Sequence, residues 1–274
     1  MRLRSLLFVP GDRPERMEKA LGAGADALIL DLEDSVAPAR KAEARAAVAA
    51  FLRGAARGPA LLVRINPLGG GLAEDDLAAI LPARPDGIVL PKAEGAASVR
   101  ALAAHTDLPI LPIATETPAA IFALGSYGEV GARLLGLTWG AEDLPAAIGA
   151  TAAREADGRY TPPIETARAL ALFAAHAAGV AAIETVFPAF RDAAGLAAYA
   201  ARGRRDGFSG MMAIHPDQVA VINRAFTPTD TEVAHARAVV DAFAAAPDAG
   251  VLSIDGRMVD APHLAQARRV LALV

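Results

Sequence analysis

Arg64 in ALLVRIN, Glu116 at the end of PILPIATE and Asp143 at the end of GLTWGAED occupy matching places in a repeating pattern. Each closes a short apolar run that reads as a β-strand. Neighbouring strands lie about 4.8 Å apart, so carboxylates at adjacent strand ends can meet on one ion. Two such acids beside an arginine read as a divalent-metal site that binds an anionic substrate. Oxygen-only ligation, with no cysteine in the chain and no histidine close by in sequence, favours Mg2+ or Mn2+ over zinc. A plainer reading makes the acids helix N-caps or partners of arginine. Two acids on consecutive strands, each followed by a turn and a proline (TETP, EDLP), favour the metal.

Other residues at the same strand ends could take part. Arg64 needs a partner for its charge: a substrate carboxylate or thioester oxygen would suit its forked donors, and a permanent bridge to Glu116 or Glu33 is the structural alternative. DLEDSV brings Asp31, Glu33 and Asp34 together, with Asp31 and Glu33 on one side of the strand. So many acids need basic neighbours, and Lys41, Arg45 and Lys92 are the candidates. Lys92, closing VLPK, could instead form a Schiff base with a keto acid, but Glu116 and Asp143 would then have no role. After the first strand, Arg13 and Arg16 could hold phosphates beside the mouth or belong to a solvated helix start. His215 reads as a core histidine and Trp139 as core.

The elements that must position these residues form an alternating series. Strands are predicted at Leu3–Val9, Ala27–Glu33, Ala60–Asn66, Gly87–Pro91, Pro109–Glu116, Leu134–Trp139, Ala181–Phe187 and Gly210–His215. Helical spacing covers Pro14–Ala23, Ala39–Arg53, Glu74–Ala79, Ser98–His105, Thr117–Leu124, Thr166–Ala178 and Asp192–Arg202. Continuous apolar strands alternating with helices imply a parallel sheet covered on both faces. Eight strands imply an α/β fold of the (β/α)8 TIM-barrel type, whose strand C-termini converge on one working face. A doubly wound open sheet is the alternative, but VPGDRPE is not its glycine-rich phosphate turn. The barrel is assigned to residues 1–216. Residues 217–274 form an extension: helices at Asp217–Ala225 and Thr229–Ala246, a hairpin in VLSIDGRMV turning at Asp255-Gly256, and a closing helix at Pro262–Leu273. It is expected to pack on the barrel or on a neighbouring subunit.

The bulk properties exclude other classes. The chain has 274 residues, which suits one large domain. Net charge is −4 and no long basic stripe is present, so nucleic acid is not an expected partner. No apolar run reaches the roughly 18 residues of a membrane span. MRLRSLLFVPGD has too short an apolar core for a signal peptide and reads as the first strand, making the cytoplasm the expected compartment. The absence of cysteine excludes disulfides, thiolate metal sites and a cysteine nucleophile.

Taken together, SLLFVPGDRPERMEKA, LILDLEDSVAP, VRINP, VLPKAE, TETPAAI, WGAEDLPAAIG and FSGMMAIHPDQV resemble, in order, the citrate lyase β-subunit-like proteins of the HpcH/HpaI aldolase superfamily, which includes malyl-CoA and citramalyl-CoA lyases. The resemblance implies a homotrimer or hexamer of barrels and a Mg2+ held by Glu116 and Asp143. It implies that Arg64 and Glu116 act on the substrate, with Asp31, Glu33, Asp34 and Lys41 supporting them. It also implies that Asp260, in GRMVDAPHLAQARRVL, completes the site of a neighbouring subunit. The implied reaction is cleavage of a 3-hydroxy-3-carboxyacyl thioester, such as citramalyl-CoA or malyl-CoA, into acetyl-CoA and a 2-oxo acid. Two rival readings are a citrate lyase β-subunit working on a carrier-protein thioester and a non-catalytic barrel component. IETVFPAFRDAAGL departs from the pattern: Glu184 stands where relatives commonly have aspartate, and Ala189 where an acidic residue is frequent, so contacts on the CoA side do not carry over.

Overall fold

Alternation along the strands decides which side chains reach the interior. The computed structural model of the chain describes residues 2–55 and 58–273. Its eight parallel strands are β1 (Ser5–Pro10), β2 (Ala27–Asp31), β3 (Ala60–Arg64), β4 (Gly87–Leu90), β5 (Ile110–Pro112), β6 (Leu137–Thr138), β7 (Ala182–Glu184) and β8 (Gly210–Ala213). They run in the order β5-β4-β3-β2-β1-β8-β7-β6. Bridges Ile110–Leu134 and Ile113–Thr138 join the two ends, so the sheet closes. Leu6, Ala27, Ile29, Leu62, Val89, Leu111, Ile183 and Met212 form one buried cluster, the filled interior of a (β/α)8 barrel. Between the strands and the helices lie Leu7, Leu28, Leu30, Val63 and Ile88, also fully or almost fully buried.

The first strand lies between β2 and β8, with Leu6 and Leu7 buried, as its apolar run required. Three of the expected strands are much shorter than predicted. β5, β6 and β7 span three, two and three residues. Pro109 and Pro112 have no N–H to donate to the ladder, and pairing beyond them continues only as single bridges. Glu116 therefore stands in the loop beyond β5 rather than at its end. Asp143 opens a short helix, Asp143–Ala147, which the periodicity did not reveal.

Chain contacts divide the molecule into residues Met1–Asn223, the barrel, and Arg224–Val274. The second unit has its own core. The helix Asp230–Ala245 starts at a capping box between Thr229 and Glu232. Hairpin strands Val251–Ile254 and Arg257–Asp260 pair antiparallel around Asp255 and Gly256, both at positive φ, as a two-residue primed turn demands. The closing helix, Ala261–Leu271, follows. Ala236, Val239, Val259 and Ala267 are buried among these pieces. Among the described residues no helix is long and apolar enough to cross a membrane.

Barrel closure can be tested at Gly210, where an added Cβ would lie 1.8 Å from the carbonyl oxygen of Leu3, just before the paired strand β1. Backbone cannot yield as a side chain does, so Gly210→Ala should destabilise by roughly 3 kcal/mol or more. Gly125→Ala, with nothing within 4 Å of its new methyl, should be neutral or stabilising by up to about 1 kcal/mol. Thermal unfolding of the two variants measures the contrast.

Candidate active site

The inward alternation Ala60, Leu62, Arg64 on β3 and Ala27, Ile29, Asp31 on β2 carries two charges to the top of the barrel interior. Asp31 and Arg64 are register partners. Arg64 donates from Nε to Asp31 Oδ1 at 2.6 Å and from Nη2 to Oδ2 at 2.8 Å, a two-pronged bridge. Asp31 also accepts the backbone N–H groups of Glu33 and Ser35. Burial alone would raise the Asp31 carboxyl, but Arg64 and these donors outweigh it and hold the group below its usual value. Burial likewise opposes charge on Arg64, and Asp31, Glu33 and Asp34 overcome it. The guanidinium lies over the Phe8 ring, 4.8 Å from its centroid. Its remaining end, Nη1, reaches Glu33 at 2.9 Å and Asp34 at 3.5 Å. The partner of Arg64 is thus chiefly Asp31, with Glu33 second, and no bridge to Glu116 forms.

Charges continue to alternate along the mouth. Lys92 Nζ lies 2.7 Å from Glu33 Oε1 and 3.5 Å from Asp143 Oδ1. Its backbone N–H donates to Glu116 Oε2 at 2.5 Å. Lys92 holds a left-handed backbone, φ +49°, uncommon outside glycine. That turn lets one residue offer its N–H to one acid and its ammonium to two others. Burial works against the ammonium, and Glu33 more than offsets it, so Lys92 is held in its charged form. A Schiff base would require Lys92 to lose both its proton and its bridge. Lys41 does not face the acids' side chains: its ammonium caps the carbonyls of Leu32 and Glu33 at 2.6 and 2.7 Å. Arg45 is engaged elsewhere, with Asp75 and Asp76.

Arg64, Asp31, Asp34, Glu116, Glu142 and Asp143 line one cavity of about 410 Å3 with the apolar side chains Phe8, Ile113, Val186, Met212 and Ile214. Glu116 is pushed up to about 8, first by burial and then by the neighbouring charges of Asp143 and Glu33, against the Lys92 N–H. Its carboxylate rests on Gly140, where a Cβ would come within 2.7 Å of Glu116 Cγ and 3.1 Å of Oε1. Only glycine leaves the acid that space. A buried carboxylate crowded by another acid is a natural seat for a cation. Among the described residues no group of three or more histidine, aspartate or glutamate side chains gathers for a metal. Two carboxylates with room for water or substrate oxygens match a small, hard divalent ion, which commonly takes only one or two protein acids.

Several candidates stand outside this cavity. Arg13 and Arg16 are exposed at the start of helix α1 (Pro14–Ala20) and are not among the cavity's lining residues. Asp260 caps the closing helix of the second unit, its Oδ1 2.5 Å from His263 Nδ1. The core assignment of His215 is corrected: it lies half-buried beyond β8, stacked on Phe190, with Nδ1 accepting the N–H of Asp217. Trp139 is fully buried and donates to Glu184 at 2.6 Å. Glu184 also takes Arg168, Tyr199 and the Thr185 N–H, so it serves as a saturated interior acid. Sequence reasoning missed Gly140, the left-handed Lys92 and the apolar wall. WGAED held the only signal, a glycine in the loop just before an acid pair.

Residues 4–216 match the family described as HpcH/HpaI aldolase/citrate lyase. A (3S)-malyl-CoA thioesterase of Cereibacter sphaeroides is 36% identical over 98% of this chain and 93% of its own length. The mitochondrial citramalyl-CoA lyase of Homo sapiens is 32% identical over 98% of this chain and 85% of its own. Among solved structures, protein CitE of Mycobacterium tuberculosis, in complex with magnesium, acetoacetate and coenzyme A, superposes with a TM-score of 0.83 at 37% identity, covering 99% of this chain and 97% of that one.

The Asp31–Arg64 pair is expected to support the fold whatever the cavity binds. Asp31→Ala leaves a buried guanidinium without its main partner and should cost about 3–5 kcal/mol in denaturant unfolding. The Asp31 pKa is lowered in the folded chain, so its contribution is complete above the ordinary carboxylate value of about 4. It is lost as pH falls through the lowered folded value. The stability gap between wild type and Asp31→Ala should therefore narrow in acid.

Proposed function

The chain belongs to the HpcH/HpaI aldolase/citrate lyase family, and within it we propose that it is a Mg2+-dependent carbon–carbon lyase. Its substrate would be a 3-hydroxy-3-carboxyacyl thioester of coenzyme A, of the citramalyl or malyl type, and its products acetyl-CoA and a 2-oxo acid. One observation carries this reading: a single cavity holds a fixed guanidinium end and two carboxylates, Glu116 and Asp143, against an apolar wall. The relative crystallised with magnesium and coenzyme A supports both the metal and the thiol, and favours coenzyme A over a carrier protein.

Glu116 and Asp143 would hold the Mg2+, which when bound supplies Lewis-acid stabilisation of negative charge on oxygen. Arg64, clamped from one edge by Asp31, keeps Nη1 at the cavity and would bind the substrate's carboxylate or acyl oxygen as charge builds there. Cleavage needs the hydroxyl proton to leave to a base. Asp34 and Glu142 are the exposed carboxylates of the lining. The carbon–carbon bond then breaks, its electron pair leaves as the enolate of the acetyl thioester, and a proton must reach that carbon. Phe8, Ile113, Val186, Met212 and Ile214 would shield the enolate from bulk water. Asp260 is the proposed proton carrier, reaching the mouth of a neighbouring copy in a cytoplasmic trimer or hexamer.

A second reading has support from the Cereibacter relative's name: hydrolysis of the thioester itself. The readings part at the bond broken, since hydrolysis leaves the carbon skeleton intact.

EDTA is expected to abolish thioester consumption, and Mg2+ or Mn2+ to restore it. Glu116→Gln and Asp143→Asn should weaken metal binding while the fold survives, because Glu116 lies in a loop and Asp143 at the start of a short helix, both at the mouth and beyond the barrel strands. Full activity in EDTA would contradict the metal assignment.

The shared site is tested by mixing. Asp260→Asn and Glu116→Gln proteins should each be inactive, and activity should reappear when their subunits exchange, because some mixed oligomers contain one intact site. Continued inactivity, with exchange shown independently by mass, would contradict it.

A further inference from the structure

Lys92 touches three of the mouth's carboxylates: Glu116 through its backbone N–H, and Glu33 and Asp143 through its ammonium. The two ammonium contacts are unequal. Glu33, at 2.7 Å, is nearly inaccessible to solvent and faces Arg64 on its other oxygen. Asp143, at 3.5 Å, is about one-third exposed. A divalent cation seated on Glu116 and Asp143 would lie a few ångströms from that ammonium, and like charges at such a separation repel strongly. The lysine has a second partner ready, and its left-handed backbone keeps the N–H on Glu116 whichever acid the side chain prefers.

Resting on the metal reading above, we propose that Lys92 is an internal counter-cation: its ammonium neutralises Asp143 until a divalent ion takes that carboxylate, and is then carried by Glu33 alone. Lys92 is a positioning residue here. It fixes Glu116 through the main chain and sets, through its charge, how tightly the two acids hold an ion. Without it, Glu33, Glu116 and Asp143 would repel one another across the empty mouth. With it, each metal ion that binds must displace a cation already present, so affinity is held below what the bare acids would give.

The test is Mn2+ binding to the full-length protein, read from the electron paramagnetic resonance of the free ion and needing no turnover. Lys92→Met removes the charge and keeps the N–H. Lys92→Asn does the same with a side chain that tolerates the left-handed region. Both should tighten Mn2+ binding on the order of tenfold, the size expected for removing a unit charge a few ångströms from a double one in a water-like dielectric. Lys92→Arg, which keeps the charge, should not tighten it. Unchanged or weaker binding in both neutral variants, with melting temperatures at the wild-type value, overturns the proposal, as does equal tightening by arginine. If wild-type protein binds no Mn2+, the metal reading itself fails and the counter-cation with it.

Discussion

A guanidinium at the top of a barrel interior must be neutralised where it stands, and Asp31 does this for Arg64 across a single strand spacing. Removing two such charges from water costs several kcal/mol per ion, and only good geometry offsets it. Here the geometry is a two-pronged bridge, with two backbone N–H groups completing Asp31. The bridge ties the ends of β2 and β3 together and leaves one end of the guanidinium facing the cavity. From that end the charges alternate in sign: Arg64 to Glu33, Glu33 to Lys92, Lys92 to Asp143. Each link places the next, so the mouth is organised from one buried pair outward.

The strands were legible in the sequence because a parallel barrel strand is apolar on both faces, and its last inward position is where the pattern admits a charge. Arg64 and Asp31 could be read this way, one inward step beyond Leu62 and Ile29. Glu116 and Asp143 were found by the same reasoning although they sit past their strands, since Pro109 and Pro112 end the ladder early while the chain stays near the rim. Periodicity has no means of showing a left-handed lysine or the space a glycine leaves for a neighbouring carboxylate. Those features depend on two loops meeting, Lys92 and Gly140 both against Glu116. The same limit separates Asp31 from Glu33: both point inward, and only the fold shows that one anchors Arg64 and the other joins Arg64 to Lys92.

In the proposed reaction the barrel and the second unit have unequal parts. The cavity lining holds Arg64, the paired acids and the apolar wall. The smaller unit is a compact frame of two helices and a hairpin, with Asp260 at the junction of the hairpin and the closing helix, where His263 holds its carboxyl below the usual range. In the proposed reaction Asp260, ionised at rest, would have to take up a proton from solvent before it could pass one to the enolate carbon.

The central claim is that this site breaks a carbon–carbon bond, and the most direct measurement follows that bond. Citramalyl-CoA and malyl-CoA, labelled with 13C at both carbons of the bond, would be incubated with the Mg2+-loaded protein and followed by 13C nuclear magnetic resonance. The account predicts loss of the one-bond coupling, with label appearing separately in the methyl of acetyl-CoA and the keto carbon of the 2-oxo acid. A labelled hydroxy acid with its coupling intact, released alongside free thiol, would contradict it.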